Sequence, residues 1–246
     1  MDIKISVRYL KSCLININLK LIIIISALTY LLFSFNSVGV SSSNDGIINI
    51  LGGFSLNQPP LSIYILLWLI PKLILFYFIS IFITNSFQNT LPIIILRVRS
   101  KLLWISINTL AAFIAIIFWY IIGYLVVIIF MFIKNGEAFN IHIQYFKMLE
   151  LDILSTYCIV NIFYLLIIIT NKMMPAITVI LTIYLSTMFI NNPESIIFKL
   201  LPSNHGMIVR QQYLSNSFLY VFTVNAVILL LCIFFIKKNE LLLKGV

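Results

Sequence analysis

Few residues in this chain can do chemistry in water, and the densest group of them is basic. Arg97, Arg99 and Lys101 place three cations within five residues, just ahead of Trp104. They belong to the stretch Leu91-Pro92-Ile93-Ile94-Ile95-Leu96-Arg97-Val98-Arg99-Ser100-Lys101-Leu102-Leu103-Trp104, which lies between two long apolar runs. On a helix Arg97 and Lys101 are one turn apart and share a face, while Arg99 points nearly opposite. Asn89 or Thr90 suits a helix cap, and Pro92 suits the first turn. Two readings stand side by side: an anchor that fixes orientation in a membrane, and a docking helix for a soluble partner.

Lys72 is the second candidate. It follows Pro71 and is twelfth of the 23 residues from Leu61 to Ile83. A lysine at the centre of a spanning helix costs about 2.5–3.5 kcal/mol on insertion scales. The same run holds 16 Leu, Ile and Phe residues, each contributing up to roughly 0.3–0.6 kcal/mol, so the segment still inserts. Tyr64, Trp68 and Lys72 recur at a spacing of four and share one face. On a substrate path Lys72 would meet an anionic group, and aromatic groups with one cation suit a lipid-like or peptide substrate. The competing reading is a helix that breaks at Pro71, with Lys72 snorkelling to an interface and the aromatics packing in the ordinary way.

The remaining chemistry is sparse. None of the eight glycines sets up GxxxxGK[ST], and neither HExxH nor GxSxG occurs. ATP hydrolysis by the P-loop route is therefore not expected of this chain. No catalytic residue, metal ligand or bound cofactor is assigned. His142 and His205 each lack a histidine partner one helical turn away. Cys13, Cys158 and Cys232 form no CxxC pair and read as small packing residues.

The elements that position these residues must lie in lipid. The 246 residues are 62% hydrophobic and only 9% charged, against about 25% charged in soluble domains. A net charge of +9 raises nucleic acid as a partner. The cations instead fall in small groups at the ends of apolar runs, as membrane topology requires.

A spanning helix needs about 20 apolar residues. Six runs qualify: 19–38, 61–83, 103–133, 153–170, 175–190 and 218–236. They are continuous rather than alternating, which favours helices over a barrel. The fold class expected is an all-α polytopic membrane protein forming one membrane domain over 1–246. The start of the chain lacks a convincing cleavage site and reads as leading into an uncleaved first span. Ile3, Val7, Leu10, Leu14 and Ile17 form one helical stripe flanked by Lys4, Arg8 and Lys11, the pattern of a helix lying on a membrane surface.

With the N-terminus in the cytoplasm, the inner side holds Lys4, Arg8, Lys11, Lys20, Arg97, Arg99, Lys101, Lys172, Lys237, Lys238 and Lys244. The outer side holds Lys134, Lys147, Lys199 and Arg210, giving 11 against 4. The positive-inside rule supports that orientation, with both termini cytoplasmic. Three loops then face outward. Gly39 to Pro60 reads as irregular. Lys134 to Asp152 carries Glu137, Glu150 and Asp152. Glu194 to Leu214 reads as a hairpin of two short helices, 194–201 and 206–214, joined through Pro202-Ser203-Asn204 and dipping into the outer leaflet.

This arrangement resembles the ABC-2-type permeases, the membrane subunits of type V ABC exporters. The resemblance covers nearly the whole chain and is mostly architectural. Its best local match is Ile95 to Trp104, similar to the basic, Trp-containing stretch that enters the third span in small Gram-positive members. The resemblance implies an elbow helix at 1–18 and a coupling helix at 91–101. Arg97, Arg99, Lys101 and Trp104 would dock on a separate cytoplasmic ATPase, which uses ATP and Mg. It also implies an outer re-entrant segment at 194–214 and a second permease protomer, the same chain or another. Compact size, without a fused ATPase or a large outer domain, is similar to lantibiotic-immunity and phenol-soluble-modulin transporters, which act on amphipathic peptides in the cell membrane. On that resemblance, peptide enters laterally past Tyr64, Trp68 and Lys72. A small secondary carrier and a stand-alone immunity or sensor protein remain as rivals.

Overall fold

In a computed structural model the described residues are 3–36, 42–56, 63–86, 101–136, 142–170, 172–190, 192–214 and 216–244, with side chains described except at 3–6, 101–102 and 236–244. Every regular element among them is helical. In chain order they are α1 (Ile3–Asn16), α2 (Leu19–Asn36), α3 (Ser43–Leu51), α4 (Ile63–Asn85), α5 (Lys101–Asn135) and α6 (Ile143–Thr170). Then follow α7 (Met173–Phe189), α8 (Ile196–Leu200), α9 (Pro202–His205), a 3-10 turn (Ile208–Tyr213) and α10 (Ser217–Lys244).

Four helices are long and apolar enough to cross a bilayer: 63–85, 103–135, 143–170 and 217–235, with mean hydropathies of 2.3, 2.8, 2.2 and 2.6. A bent pair, 7–16 with 19–35, becomes a fifth candidate when taken together. At 17 residues α7 is shorter, spanning about 26 Å at 1.5 Å per residue. The chain is thus a membrane-embedded helical protein, with four or five such spans among the described residues. Large apolar side chains, among them Leu28, Leu32, Leu219, Phe222, Leu230 and Phe234, stand exposed on α2 and α10. Water would not tolerate that much apolar surface, and lipid does.

The join between α1 and α2 bends by 45°. Asn18 makes the bend with φ 56°, a left-handed conformation that asparagine adopts more readily than most residues. The amide of Asn18 bonds the Ile15 carbonyl at 2.9 Å, and its own carbonyl accepts from Ile22 at 3.1 Å. The buried face of α1 includes Cys13, with Tyr9, Leu10 and Leu14 partly buried around it. Val7, placed on the apolar stripe by its spacing, is 59% exposed.

The core forms where α5 meets its neighbours. A Cβ on Gly123 would lie 2.3 Å from the Tyr30 ring, so only glycine lets α2 approach α5 this closely. Ser26 adds a hydrogen bond of 2.6 Å to the Trp119 carbonyl. Asn225 of α10 receives a bond from Asn161 of α6 at 2.8 Å and donates to the Leu154 carbonyl at 3.2 Å. Within lipid, such amide pairs hold helices where apolar burial cannot.

Three loop assignments change. The stretch 39–60 contains α3, because Ser42 accepts from the Asp45 amide at 3.1 Å as an N-cap and Ile47, Ile50 and Leu51 bury against the core. The stretch 134–152 is not a loop to its end: α6 starts at Ile143, ten residues before the apolar run at 153. The stretch 194–214 holds three short pieces instead of two, with Pro202 opening a helical turn at α9 rather than a link.

Candidate functional site

The interior polar cluster gathers on α4, α5 and α6. Lys72 is the tenth residue of α4, about 14 Å along it. The helix runs unbroken through Pro71, and the Lys72 side chain does not reach an interface. It is 3% exposed and forms an ion pair with Asp152 Oδ1 of α6. Its ammonium also donates to the Tyr120 hydroxyl at 3.1 Å. Tyr124, one turn further along α5, donates to Asp152 Oδ2 at 2.7 Å. Tyr120 and Thr156 share a further bond of 2.7 Å. Both charges are thereby paired and hydrogen-bonded, the condition under which a buried ion pair is tolerated.

Of the proposed substrate face, the structure brings Trp68 and Lys72 together. The Lys72 ammonium sits 4.9 Å from the Trp68 ring centroid, a cation–π distance. Trp68 is buried edge-on against Phe54 and Tyr184, at 5.5 and 6.1 Å. Tyr64 is half-buried at the start of α4 and is not part of the cluster. The free space beside Trp68 and Lys72 is about 10 Å³, room for roughly one water molecule.

Arg97 and Arg99 lie outside the described residues, with most of the 91–101 segment. Lys101 is the first described residue of α5. Trp104 is 1% exposed, its ring centroid 6.3 Å from that of Tyr164. The chain's own residues cover that ring, so it braces α5 against α6. Close by, Asn108 forms a junction of three elements. Its Nδ2 donates to the Tyr9 hydroxyl of α1 at 3.2 Å and to the Trp104 carbonyl at 2.8 Å. Its Oδ1 accepts from Ser86, just beyond α4, at 2.8 Å. Ser86, at the near end of the 87–100 segment, and Asn108, two turns into α5, are thus tied to the N-terminal helix.

At the opposite end, Arg210 is fully buried. Its Nε donates to the Phe54 carbonyl at 3.3 Å, and Nη1 reaches the Thr187 carbonyl at 3.2 Å and the Asn204 side-chain oxygen. The guanidinium stacks 4.4 Å from the Phe54 ring centroid. Burial pulls its pKa down to about 10, so it stays charged at neutral pH. Because Phe54 touches both Arg210 and Trp68, aromatic contacts join the two buried cations.

His205 also belongs to this end. Its Nε2 donates to the Lys199 carbonyl at 2.8 Å, Nδ1 meets Ser217 Oγ at 2.9 Å, and its ring stacks 4.0 Å from that of Tyr220. A carbonyl only accepts, so Nε2 carries the proton. His142, by contrast, is exposed beside Asn44. No group of three or more His, Cys, Asp or Glu residues among the described ones is arranged to hold a metal.

Sequence reasoning missed Asp152 by assigning it to a loop. The signal was present in the stripe Tyr145, Met148, Asp152, Thr156 and Ile159, whose spacing continues the buried face of α6 upstream of the apolar run. Comparison of the chain with protein-family models, with curated proteins and with solved structures found no match in any of the three.

Proposed function

We propose that this protein is the membrane permease subunit of an ATP-driven exporter of the ABC-2 type, moving amphipathic or antimicrobial-type peptides out of the cell or the inner leaflet. The observation that carries the reading is the junction at Asn108. A soluble motor must push on a short segment between two spans and have that push reach the helix bundle. Here Ser86, at the near end of 87–100, and Tyr9 of the bent N-terminal helix converge on one buried amide of α5. A force applied at Arg97, Arg99 and Lys101 would reach α1, α4 and α5 at once. The three broken pieces from Ile196 to Tyr213 are consistent with an outer gate. On this reading the membrane is the cell membrane, both termini are cytoplasmic, and two permease protomers pair with two ATPase subunits.

A second reading has one observation behind it. A buried Lys–Asp pair is the kind of intramembrane charge that ion-coupled carriers use, and Lys72 with Asp152 supplies one. Such a carrier would need no ATPase.

The test is assembly with a separate P-loop ATPase, sought first in the gene neighbouring this one. Co-purification and ATP turnover should both fall when Arg97, Arg99 and Lys101 are changed together to Glu. Unchanged assembly and turnover would sink the docking reading and leave the carrier.

A further inference from the structure

Asp152 stands apart from the other described acids. Asp45, Glu150 and Glu194 are exposed, whereas Asp152 is 3% exposed. The groups facing it are Lys72 from α4, Tyr120 and Tyr124 from α5, Tyr30 from α2 and Tyr184 from α7. Helix α10 meets α6 through Asn161, nine residues on and hence on the other face. Arg210 lies beyond Phe54 and Trp68. Lys72 is therefore the one full charge in contact with this carboxylate among the described residues.

Beside the pair lies the space of about 10 Å³, lined by residues that include Tyr30, Ile50, Leu51, Trp68, Lys72 and Asp152. The Trp68 indole N–H is buried without a partner, so this wall offers a donor to a small polar guest. About one water fits such a volume, provided it finds two or more polar partners. Ile50 and Leu51 come from the end of α3, so the space approaches the strap Gly52-Gly53-Phe54.

That strap is clamped from outside. Gly53 has φ +89°, and a Cβ there would lie 2.6 Å from Met207 Cγ. The Gly52 carbonyl accepts from the Val209 amide at 3.3 Å, and the Phe54 carbonyl accepts from Arg210 Nε at 3.3 Å. The clamp is the broken segment between α7 and α10, built from short pieces that hold their places by tertiary contacts rather than by helix length.

We propose that Asp152 is a reversible proton-binding site, paired with Lys72 and reached by water from the α3 side of the membrane beneath the strap at residues 52–54. The chemistry is one proton transfer. Hydronium gives a proton to an Asp152 carboxylate oxygen, an O–H bond forms there, and the hydronium O–H breaks to leave water. Lys72 remains an ammonium and keeps the Tyr120 hydroxyl as its acceptor. The ion pair between α4 and α6 is lost, and with it the electrostatic tie that holds those helices in register. The site binds its proton whether transport is driven by ATP or not, so its failure would not touch the exporter reading.

Infrared difference spectra of the purified full chain in lipid nanodiscs test this on acidification. A protonated carboxyl has a C=O stretch well separated from that of a carboxylate. The expected result is one such band that shifts when the aspartates are carbon-13 labelled at the side-chain carboxyl. It survives in Asp45→Asn and vanishes in Lys72→Gln/Asp152→Asn, which leaves no unpaired charge to prevent folding. After a rapid pH drop, Gly53→Ala should bring the band up several-fold faster by loosening the strap. Absence of a label-sensitive band in the wild type before tryptophan fluorescence reports unfolding would overturn the site. So would its persistence in the double variant. An unchanged rate in Gly53→Ala would overturn the route beneath the strap.

Discussion

Lys72 and Asp152 stand 80 positions apart in sequence and meet as a buried ion pair that joins α4 to α6. Each is also held by a tyrosine of α5, Tyr120 on the lysine and Tyr124 on the aspartate. Three helices are thus fixed at one height by four side chains. Apolar side chains slide past one another in lipid at little cost, so this polar contact sets the register.

Breaking the pair from one side should be worse than removing it. Lys72→Met leaves Asp152 buried against Tyr124 alone, and Asp152→Asn leaves the ammonium without its counter-charge. Loss of one partner of a buried pair costs about 3–5 kcal/mol, whereas apolar replacement of both is often neutral. In detergent micelles the unfolding midpoint should fall for each single variant and recover in Lys72→Met/Asp152→Leu. Acidification should narrow the deficit of Lys72→Met, because a neutral carboxyl no longer needs the cation. A double variant as unstable as the sum of the singles would remove the pair from the register argument.

Arg210 should resist even a conservative change. Its fork serves Phe54, Thr187 and Asn204 together while its plane covers the Phe54 ring. A lysine is a point donor and cannot span those acceptors. Hydrogen bonds to charged groups are worth about 1.5–3 kcal/mol each, so Arg210→Lys should lose most of what Arg210→Leu loses. Limited proteolysis between α3 and α4 measures the loss, since Phe54 is the near end of that connection. Wild-type resistance in Arg210→Lys would show that charge alone suffices there.

Much of this architecture was legible in the sequence. The apolar runs at 61–83 and 103–133 became α4 and α5 within two residues at each end, because length and hydropathy alone decide whether a helix fills a bilayer. Lys72 was visible as an anomaly for the same reason. Its partner was not, because Asp152 sits at the edge of an apolar run and pairing across 80 positions leaves no local pattern. Helix α3 was hidden by composition: Ser, Asn, Asp and Gly favour turns, yet Ser42 uses its hydroxyl to cap a helix. The stripe on α1 was half right. Leu10, Leu14 and Ile17 turn inward, but Val7 yields to Tyr9, whose hydroxyl has Asn108 to bond.

Histidine 205 sets a pH dependence outside the spans. Burial lowers its pKa below the ordinary value of about 6.5, and the bond to the Lys199 carbonyl offsets this only in part. The folded state therefore binds fewer protons than the unfolded state. Its contribution to stability is complete above about pH 6.5 and declines as pH falls toward the lowered value. His205→Gln does not titrate, so its midpoint should fall less steeply than that of the wild type below that pH. Parallel slopes would mean that His205 ionises freely in the folded protein.

Asn108 should act as a clasp on α1. Asn108→Leu keeps the volume roughly constant and deletes the bonds to Tyr9, Cys13, Ser86 and the Trp104 carbonyl. The Tyr9 hydroxyl and Ser86 then lose a buried partner, at a cost of about 1–3 kcal/mol for each group left unsatisfied. Water can restore those bonds only if α1 lifts from α5. Cys13 reports that movement, since it lies on the covered face of α1 and is 2% exposed. With Cys158 and Cys232 replaced by Ser, a maleimide should label Cys13 slowly in the wild type and at least several-fold faster in Asn108→Leu. Asn108→Gln, which retains the amide, should fall between them. Equal labelling in all three would mean that α1 is held by apolar contact alone. A push delivered between α4 and α5 would then have no polar link through which to reach it.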